Sequence, residues 1–389
     1  MPISKKDVLK LLFKSRKGLF QAKEYNKKAK EFWKKKQPQL VKEIWRILSS
    51  NSDLQLAKIS KNFVKRTGFK ELKCSVGEIH ELKKLLKDQK FFIEDFVNYA
   101  TRTGFLTVVI APALAAADGL GDVDEEAMNE WLYSIGICLP VSADVCDSVL
   151  DNEVMKHSSI PYKTWVSCHK LCAAIIFHVG MDRIKNIKTV DEELNKRIIK
   201  RLNDGVEKVC EKQKMDFEAK KSAYVDISTL KEIYDGKICE IEATVFGTLP
   251  STKTDIVKVF EEGAHFFAGE MQVVDDFEDL LGDTNLQKSP EIPNPSFFLT
   301  HCIDIWNSGR RDIEGILEEA ARKNWERGQE YHKKVMDAYD RLPKRFKTRP
   351  FFEVTLWYYN KVLKDRFNQF LKGETYPEIK SQLLKLLQP

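Results

Sequence analysis

Gln272-Val-Val-Asp275-Asp276-Phe-Glu278-Asp279-Leu-Leu-Gly-Asp283 is the stretch on which the reading of this chain turns. It sets four acids within five residues on a run whose other members, Val273, Val274, Phe277, Leu280 and Leu281, recur at the spacing of a mostly buried helix. Carboxylates in such a run are costly unless a cation meets them. Asp275 and Asp279 stand one turn apart, so both project from one face, with Gln272 beside them on the preceding turn. Hard oxygens at this spacing suit Mg²⁺, which keeps several waters and is usually completed by substrate phosphate oxygens. The competing reading is a solvated acidic helix end, and the apolar neighbours argue against it.

A second acidic pair lies 128 residues earlier, in Val141-Ser142-Ala143-Asp144-Val-Cys-Asp147-Ser148-Val-Leu-Asp151. Asp147 and Asp151 repeat the one-turn spacing, and Asp144 extends the same face. Alone this pair is a weak metal signal. Opposite the first across a helical bundle it becomes half of a two-sided clamp.

The rest of the chain supports a helical setting. Apolar residues recur at three- and four-residue spacing from end to end, and alternating β-branched runs are nearly absent, so the class is all-α. Helices are expected over Phe91–Asp118, Glu125–Asn152, Tyr162–Val179, Val190–Ala219, Ser228–Leu249, Ile256–Leu281, Pro295–Ser308, Asp312–Leu342 and Phe351–Leu371, punctuated by Pro161, Gly180, Pro250 and the prolines at 290, 293 and 295. Residues 1–90 read as a basic helical extension packed on the core, with Ser75 and Glu78 as a capping box, and 91–389 as the main domain. The acidic turn Asp118-Gly-Leu-Gly-Asp122 fails as a calcium loop, because Leu120 and Val123 occupy positions that need a ligand and a glycine.

Composition excludes several classes. With 389 residues, 43% of them hydrophobic, the chain can bury one large core or two ordinary ones. Its 64 basic and 58 acidic residues leave a net charge of only +6, interspersed along helical faces, which reads as solvated surface and not as a nucleic-acid interface. The apolar runs Phe105–Ala117 and Ile135–Ala143 are too short for a bilayer or are broken by proline, so no membrane span is expected. The amino terminus carries recurring charges and no apolar signal core, and a cytoplasmic chain is the simplest reading. Eight cysteines scattered through apolar stretches read as buried thiols; Cys168, His169 and Cys172 lack a second ligand pair at zinc spacing.

Gln272, Asp275, Asp276 and Asp279 match the QxxDDxxD motif of the trans-isoprenyl diphosphate synthases, and over residues 95–370 the chain resembles that family and the class I terpene cyclases derived from it, such as those of corals. The first acidic motif of the family, DDxxD, is matched as Asp147-Ser148-Val-Leu-Asp151 with its middle acid lost. The resemblance implies a class I isoprenoid synthase helical bundle with an active-site cavity between central helices. It also implies three Mg²⁺ ions held by Asp147, Asp151, Asp275, Asp276 and Asp279, a prenyl diphosphate substrate and a homodimer. Lys288, Arg310 and Arg311, following the second motif, are the basic groups expected with Gln272 at the diphosphate.

The departures from the family bear on activity. Condensing synthases hold isopentenyl diphosphate with basic side chains, and these are eroded here. The RRGxP element appears as His157-Ser-Ser-Ile-Pro161, the GGKRxRP element falls around Ala100–Leu106 with Arg102 as its one basic residue, and KTG is at best Lys237-Ile-Cys239. Each loss removes a charge-assisted phosphate contact. The family's chain-length positions are Ser142 and Ala143 here; small side chains imply a deep chamber and favour geranylgeranyl over farnesyl diphosphate. Phe246, Phe266 and Phe267 are candidates to line it and to steady carbocations through their π faces, or else plain core. Asn203-Asp204-xx-Glu207-xxx-Glu211 loosely resembles a terpene cyclase metal motif, but the helix that should bear that motif already carries Asp275, so it reads as surface or support. The expected activity is therefore a terpene cyclase, releasing diphosphate as a lyase. The alternatives are a prenyl diphosphate synthase and a catalytically silent subunit that tunes a partner.

Overall fold

A computed structural model describes residues 5–86, 91–100, 105–152, 159–186, 192–222, 224–245, 251–282, 289–343 and 359–387, together with Val154, His157 and Thr355. Side chains are described for these residues except 5–22, 105–109, 237–245 and a few single positions. The described residues are helical and contain no strand. They divide into two compact units, one of Lys23–Glu207 with Gly247–Thr252, the other of Met1–Ala22, Lys208–Phe246 and Lys253–Pro389. Residue 90 is not a boundary between these units, and residues 23–90 share a unit with 91–207.

The amino-terminal unit takes most of α1 (Lys5–Ser50), then α2 (Asp53–Thr67), α3 (Val76–Leu86), α4 (Phe91–Ala100), α5 (Phe105–Leu120), α6 (Glu125–Tyr133), α7 (Leu139–Leu150), α8 (Tyr162–Asn186) and the first half of α9 (Glu192–Ala219). The long apolar helix expected over Phe91–Asp118 is two elements, α4 and α5, with residues 101–104 outside the described set. α2 starts on a capping box that links Ser52 and Gln55 and stops at Gly68, whose φ of 79° only glycine adopts cheaply. Its Leu56, Ser60, Phe63 and Thr67 form one buried stripe. The second capping box is where the sequence places it: the Glu78 N–H donates to Ser75 Oγ at 3.2 Å and the Ser75 N–H to Glu78 Oε2 at 2.8 Å.

α8 is the buried axis of this unit, with every residue from Leu171 to Ile176 at 0% exposure. It passes close to a five-residue π segment, Ser134–Cys138, that joins α6 to α7. A Cβ added at Gly180 would stand 2.9 Å from both Cys138 Cβ and the Ser134 carbonyl, so this crossing needs glycine. The helical run continues through Pro140, which stands in the first turn of α7 directly after the π segment. Glu125–Leu150 is a 26-residue run with an 18-residue window of mean hydropathy 1.3, long and apolar enough by composition to cross a membrane. However, 72% of its apolar window is buried in the protein. Arg183 of α8 fastens α1 to α6 by pairing with Glu43 and Glu130, and the Tyr133 hydroxyl donates to Glu43 at 2.8 Å.

The carboxy-terminal unit is organised on α11 (Thr254–Leu281), which lies against α10 (Ile227–Val245) and α13 (Ile313–Arg341). α12 (Phe297–Asn307), a π segment at Tyr359–Leu363, α14 (Lys364–Phe370) and α15 (Tyr376–Leu387) complete it. Val273, Val274, Phe277 and Leu280 sit in a core with Phe297, Phe298, Ala321 and Phe370, so the apolar face read from the sequence is the buried one. Burial of a side chain such as Phe277 stabilises by roughly 1.5–3 kcal/mol. α11 and α13 approach closely: a Cβ at Gly269 would meet the Tyr331 ring at 2.6 Å.

Candidate functional site

The second acidic motif occupies the last two turns of α11, and its four acids have different fates. Asp275 is exposed and Asp279 half-buried, with Gln272 half-buried on the turn before. Glu278 faces solvent in an ion pair with Arg366 of α14, at 2.9 and 3.0 Å. Asp276 is 2% exposed. Its Oδ1 accepts from the Tyr234 hydroxyl of α10 and its Oδ2 from the Asn324 amide of α13, both at 3.2 Å. The helix then closes at Gly282, whose N–H donates to the carbonyls of Glu278 and Asp279, while the Glu291 N–H returns to the Asp279 carbonyl at 2.9 Å.

Behind Asp276 lies a buried polar cluster that the sequence reading missed. Asn324 is fully buried with its Oδ1 lacking a hydrogen-bond partner. Arg327 stacks its guanidinium over Phe297 at 3.3 Å, and desolvation lowers its pKa. Burial, helped by the nearby charge of Asp276, pushes the Tyr234 hydroxyl far above its usual range. The signal was present in α13, where Asn324, Arg327 and Tyr331 interrupt a stripe that Ala320, Ala321 and Gly328 make small and apolar. On the same helix pair, Glu270 is fully buried and 3.4 Å from His332 Nδ1, and His332 stacks on Tyr359 at 3.7 Å. Burial raises the Glu270 carboxyl well above the carboxylate range and lowers His332 to about 4, so burial disfavours the charged form of both.

The other expected residues fall as follows. Arg310 pairs with Glu319 at 2.5 Å and Arg311 lies over the Trp306 ring at 4.2 Å, both exposed at the α12–α13 junction. No contact among the described residues joins either arginine to the α11 acids. Phe267 is buried at 2% exposure, and Phe266 is half-buried at the edge of the core that holds Phe277, under the Lys334 ammonium. Lys288 and Phe246 lie outside the described residues, and the side chain of Lys237 is likewise undescribed.

In the amino-terminal unit, Asp147 is exposed near the end of α7 and Asp151 is its half-buried C-cap, its N–H returning to the Asp147 carbonyl at 2.9 Å. The helix expected to reach Asn152 ends two residues sooner, and Asn152 takes a left-handed φ of 59°. Ser148 is half-buried. Ser142 is 1% exposed and donates to the Ala173 carbonyl of α8 at 3.0 Å, while Ala143 is half-buried. The His157 ring lies 4.8 Å from the Trp165 ring in a tilted contact, and Pro161 opens α8. Asn203 accepts from Arg66 at 2.6 Å, which makes it a tie between α9 and α2. An open cleft of about 540 Å³ lies beside that tie, lined by Phe63, Phe177, Met181 and Lys58 among others, and it contains none of the expected prenyl-pocket residues.

The acids fit Mg²⁺ in a particular sense. Among the described residues no three His, Cys, Asp or Glu side chains cluster into a cage made by protein alone. Two carboxylates on one helical face, with open coordination left over, suit a hard cation completed by water and phosphate.

The fold defined by these helices is that of the isoprenoid synthases. Geranylgeranyl pyrophosphate synthetase from Pyrococcus horikoshii superposes over 80% of this chain and 100% of its own, with a TM-score of 0.56 and 16% identity. Polyprenyl synthase from Caulobacter crescentus, complexed with calcium and isoprenyl diphosphate, matches over 79% and 98% with a TM-score of 0.56 and 11% identity. The geranylgeranyl pyrophosphate synthetase of Geoglobus acetivorans covers 79% and 99%, at a TM-score of 0.52 and 15% identity. No family model and no curated protein sequence matches the chain.

Proposed function

We propose that the protein is a Mg²⁺-dependent enzyme that ionises an allylic prenyl diphosphate and cyclises the resulting cation, with geranylgeranyl diphosphate preferred to farnesyl diphosphate. The observation that carries this reading is the acidic face of α11, where Asp275 and Asp279 stay outward from a helix whose opposite face is buried. The isoprenoid synthase fold supports it. Asp275 and Asp279 at one acidic turn, and Asp147 and Asp151 at the other, would each hold metal, and Gln272 would orient a diphosphate oxygen. When bound, Mg²⁺ supplies Lewis acidity that stabilises charge on the departing diphosphate. The chain's own contribution is to fix the carboxylates of each pair one turn apart.

Cyclisation is favoured over chain growth by the missing basic residues at positions 157–161 and 100–106. The second reading, condensation with isopentenyl diphosphate, is favoured by the named activities of the structural neighbours. One assay separates them: the protein is incubated with Mg²⁺ and geranylgeranyl or farnesyl diphosphate, with and without isopentenyl diphosphate. Hydrocarbons or terpene alcohols formed without isopentenyl diphosphate are the expected result. Longer diphosphates formed only when it is supplied would establish the synthase, and no turnover in any arm would overturn both.

A further inference from the structure

The carboxylates of the α11 motif look equivalent in sequence but are not in space, and the difference assigns them separate tasks. Asp275 and Asp279 are open to solvent to different degrees, whereas Asp276 points about 100° away around the helix from Asp275 and is 2% exposed. Both oxygens of Asp276 are engaged by donors from two other helices, the Tyr234 hydroxyl of α10 and the Asn324 amide of α13. Tyr234 is itself 4% exposed and stacks edge-on against Phe297 at 4.8 Å, and Asn324 is 0% exposed. A metal ion reaching Asp276 would have to displace both donors and leave two buried polar groups unpaired, which is costly. Such a carboxylate is poorly suited to take up and release a metal during turnover. It is well suited to fix the azimuth of the helix that presents its neighbours.

We infer that Asp276 is a strut and not a magnesium ligand, and that Tyr234 and Asn324 are positioning residues that hold the Asp275–Asp279 face in register through it. This rests on the functional reading above. It adds that two helices with no expected role in catalysis, α10 and α13, set how tightly the acidic face binds metal.

Chemistry at the strut supplies a test, because Asn324 Oδ1 has no partner. In Asp276→Asn the new side-chain oxygen can still accept from Tyr234, and the new amide can donate to Asn324 once Asn324 turns its own amide over. The strut then survives without its charge, whereas a metal ligand would not. Binding of Mg²⁺ with inorganic diphosphate is measured by calorimetry in the full chain, alongside turnover as a function of Mg²⁺ concentration. Asp276→Asn is expected to keep the parent's Mg²⁺ half-saturation. Asp275→Asn, with its exposed carboxylate neutralised, is expected to weaken Mg²⁺ binding by about a hundredfold or more. The pair Tyr234→Phe with Asn324→Ala is expected to raise the Mg²⁺ requirement about tenfold while kcat recovers at saturating Mg²⁺, a split that loss of folded protein would not produce.

The inference is overturned if Asp276→Asn loses Mg²⁺ binding as fully as Asp275→Asn, or if the Tyr234 and Asn324 variant lowers kcat at unchanged Mg²⁺ requirement. If the parent binds Mg²⁺ and diphosphate but turns over no prenyl diphosphate, the proposed function falls and the calorimetric comparison still decides the strut. If the parent binds neither, both readings fall.

Discussion

The acidic turn of α11 and the acidic turn at the end of α7 share one spacing and differ in what stands at the second position. In α11 that residue is Asp276, drawn inward and met by Tyr234 and Asn324. In α7 it is Ser148, half-buried in a turn that ends at the Asp151 C-cap. A helix rotates by about 100° per residue, so an acid following a liganding acid faces the protein and must be satisfied there or be replaced. One turn keeps the acid because the polar groups to receive it are in place. The other has a serine there, and its outer carboxylates keep their one-turn relation, with the Asp151 N–H donating back to the Asp147 carbonyl.

The largest effect that tests this comparison is on turnover. Asp275→Ala and Asp147→Ala are each expected to lower kcat/KM by about a hundredfold or more, several kcal/mol of transition-state stabilisation, with circular dichroism unchanged. Full activity in Asp147→Ala would break the parity of the two turns and leave α11 alone as the metal-bearing element.

Next in size are the close helix approaches that hold each turn. Gly269→Ala puts a methyl 2.6 Å from the Tyr331 ring, and Gly180→Ala puts one 2.9 Å from Cys138 Cβ. Each is expected to lower stability by about 1–3 kcal/mol in denaturant titrations. An unchanged midpoint for either would mean that the helices can separate without loss.

A pH test asks whether the buried pair two residues before Gln272 is neutral. The folded pKa of Glu270 is raised, so its contribution is full below the unfolded value and is lost as pH rises through the folded value. His332 is lowered to about 4, so its contribution is full above its unfolded value and is lost as pH falls through about 6 towards 4. Glu270→Gln is expected to flatten the loss of Tm on the alkaline side and to leave the acid limb in place. An acid limb that flattens in the variant would show instead that the native pair is ionic, because a salt-bridged Glu270 loses its stabilisation as pH falls.

The smallest expected effect concerns Glu278, the outlying acid of the α11 turn. Its partner Arg366 is 40% exposed, so Arg366→Ala should cost no more than about 1 kcal/mol of stability and leave the Mg²⁺ requirement as it was. A marked change in Mg²⁺ response would bring Glu278 into the liganding face.

Periodicity made the helical class, the α3 capping box and the buried side of α11 legible in the sequence, because each depends on residues within a few positions of one another. The partners of Asp276 come from helices about 40 and 50 positions away, and a single sequence carries no direct sign of such a meeting. The inward direction of Asp276 itself was legible from helical geometry, although the family motif drew all three aspartates into one ligand set. The π segment was hidden for a different reason. Ser134–Cys138 carries no local sign that separates a π turn from an α turn, and the close pass of Gly180 is a contact from a distant helix.

That π segment has a consequence for how the α7 turn can change over evolution. A π turn holds one residue more than the α-helix it interrupts, so every side chain beyond it is set back in phase by about 100°. The direction in which Asp147 leaves α7 is therefore fixed by the number of residues between Ser134 and Cys138 more than by their identity. Substitutions there would be tolerated as long as they fit beside α8. Removal of a single residue would rotate the whole carboxylate face and turn an outward acid towards buried neighbours, so this segment acts as a frame that tolerates misspelling but not a lost letter.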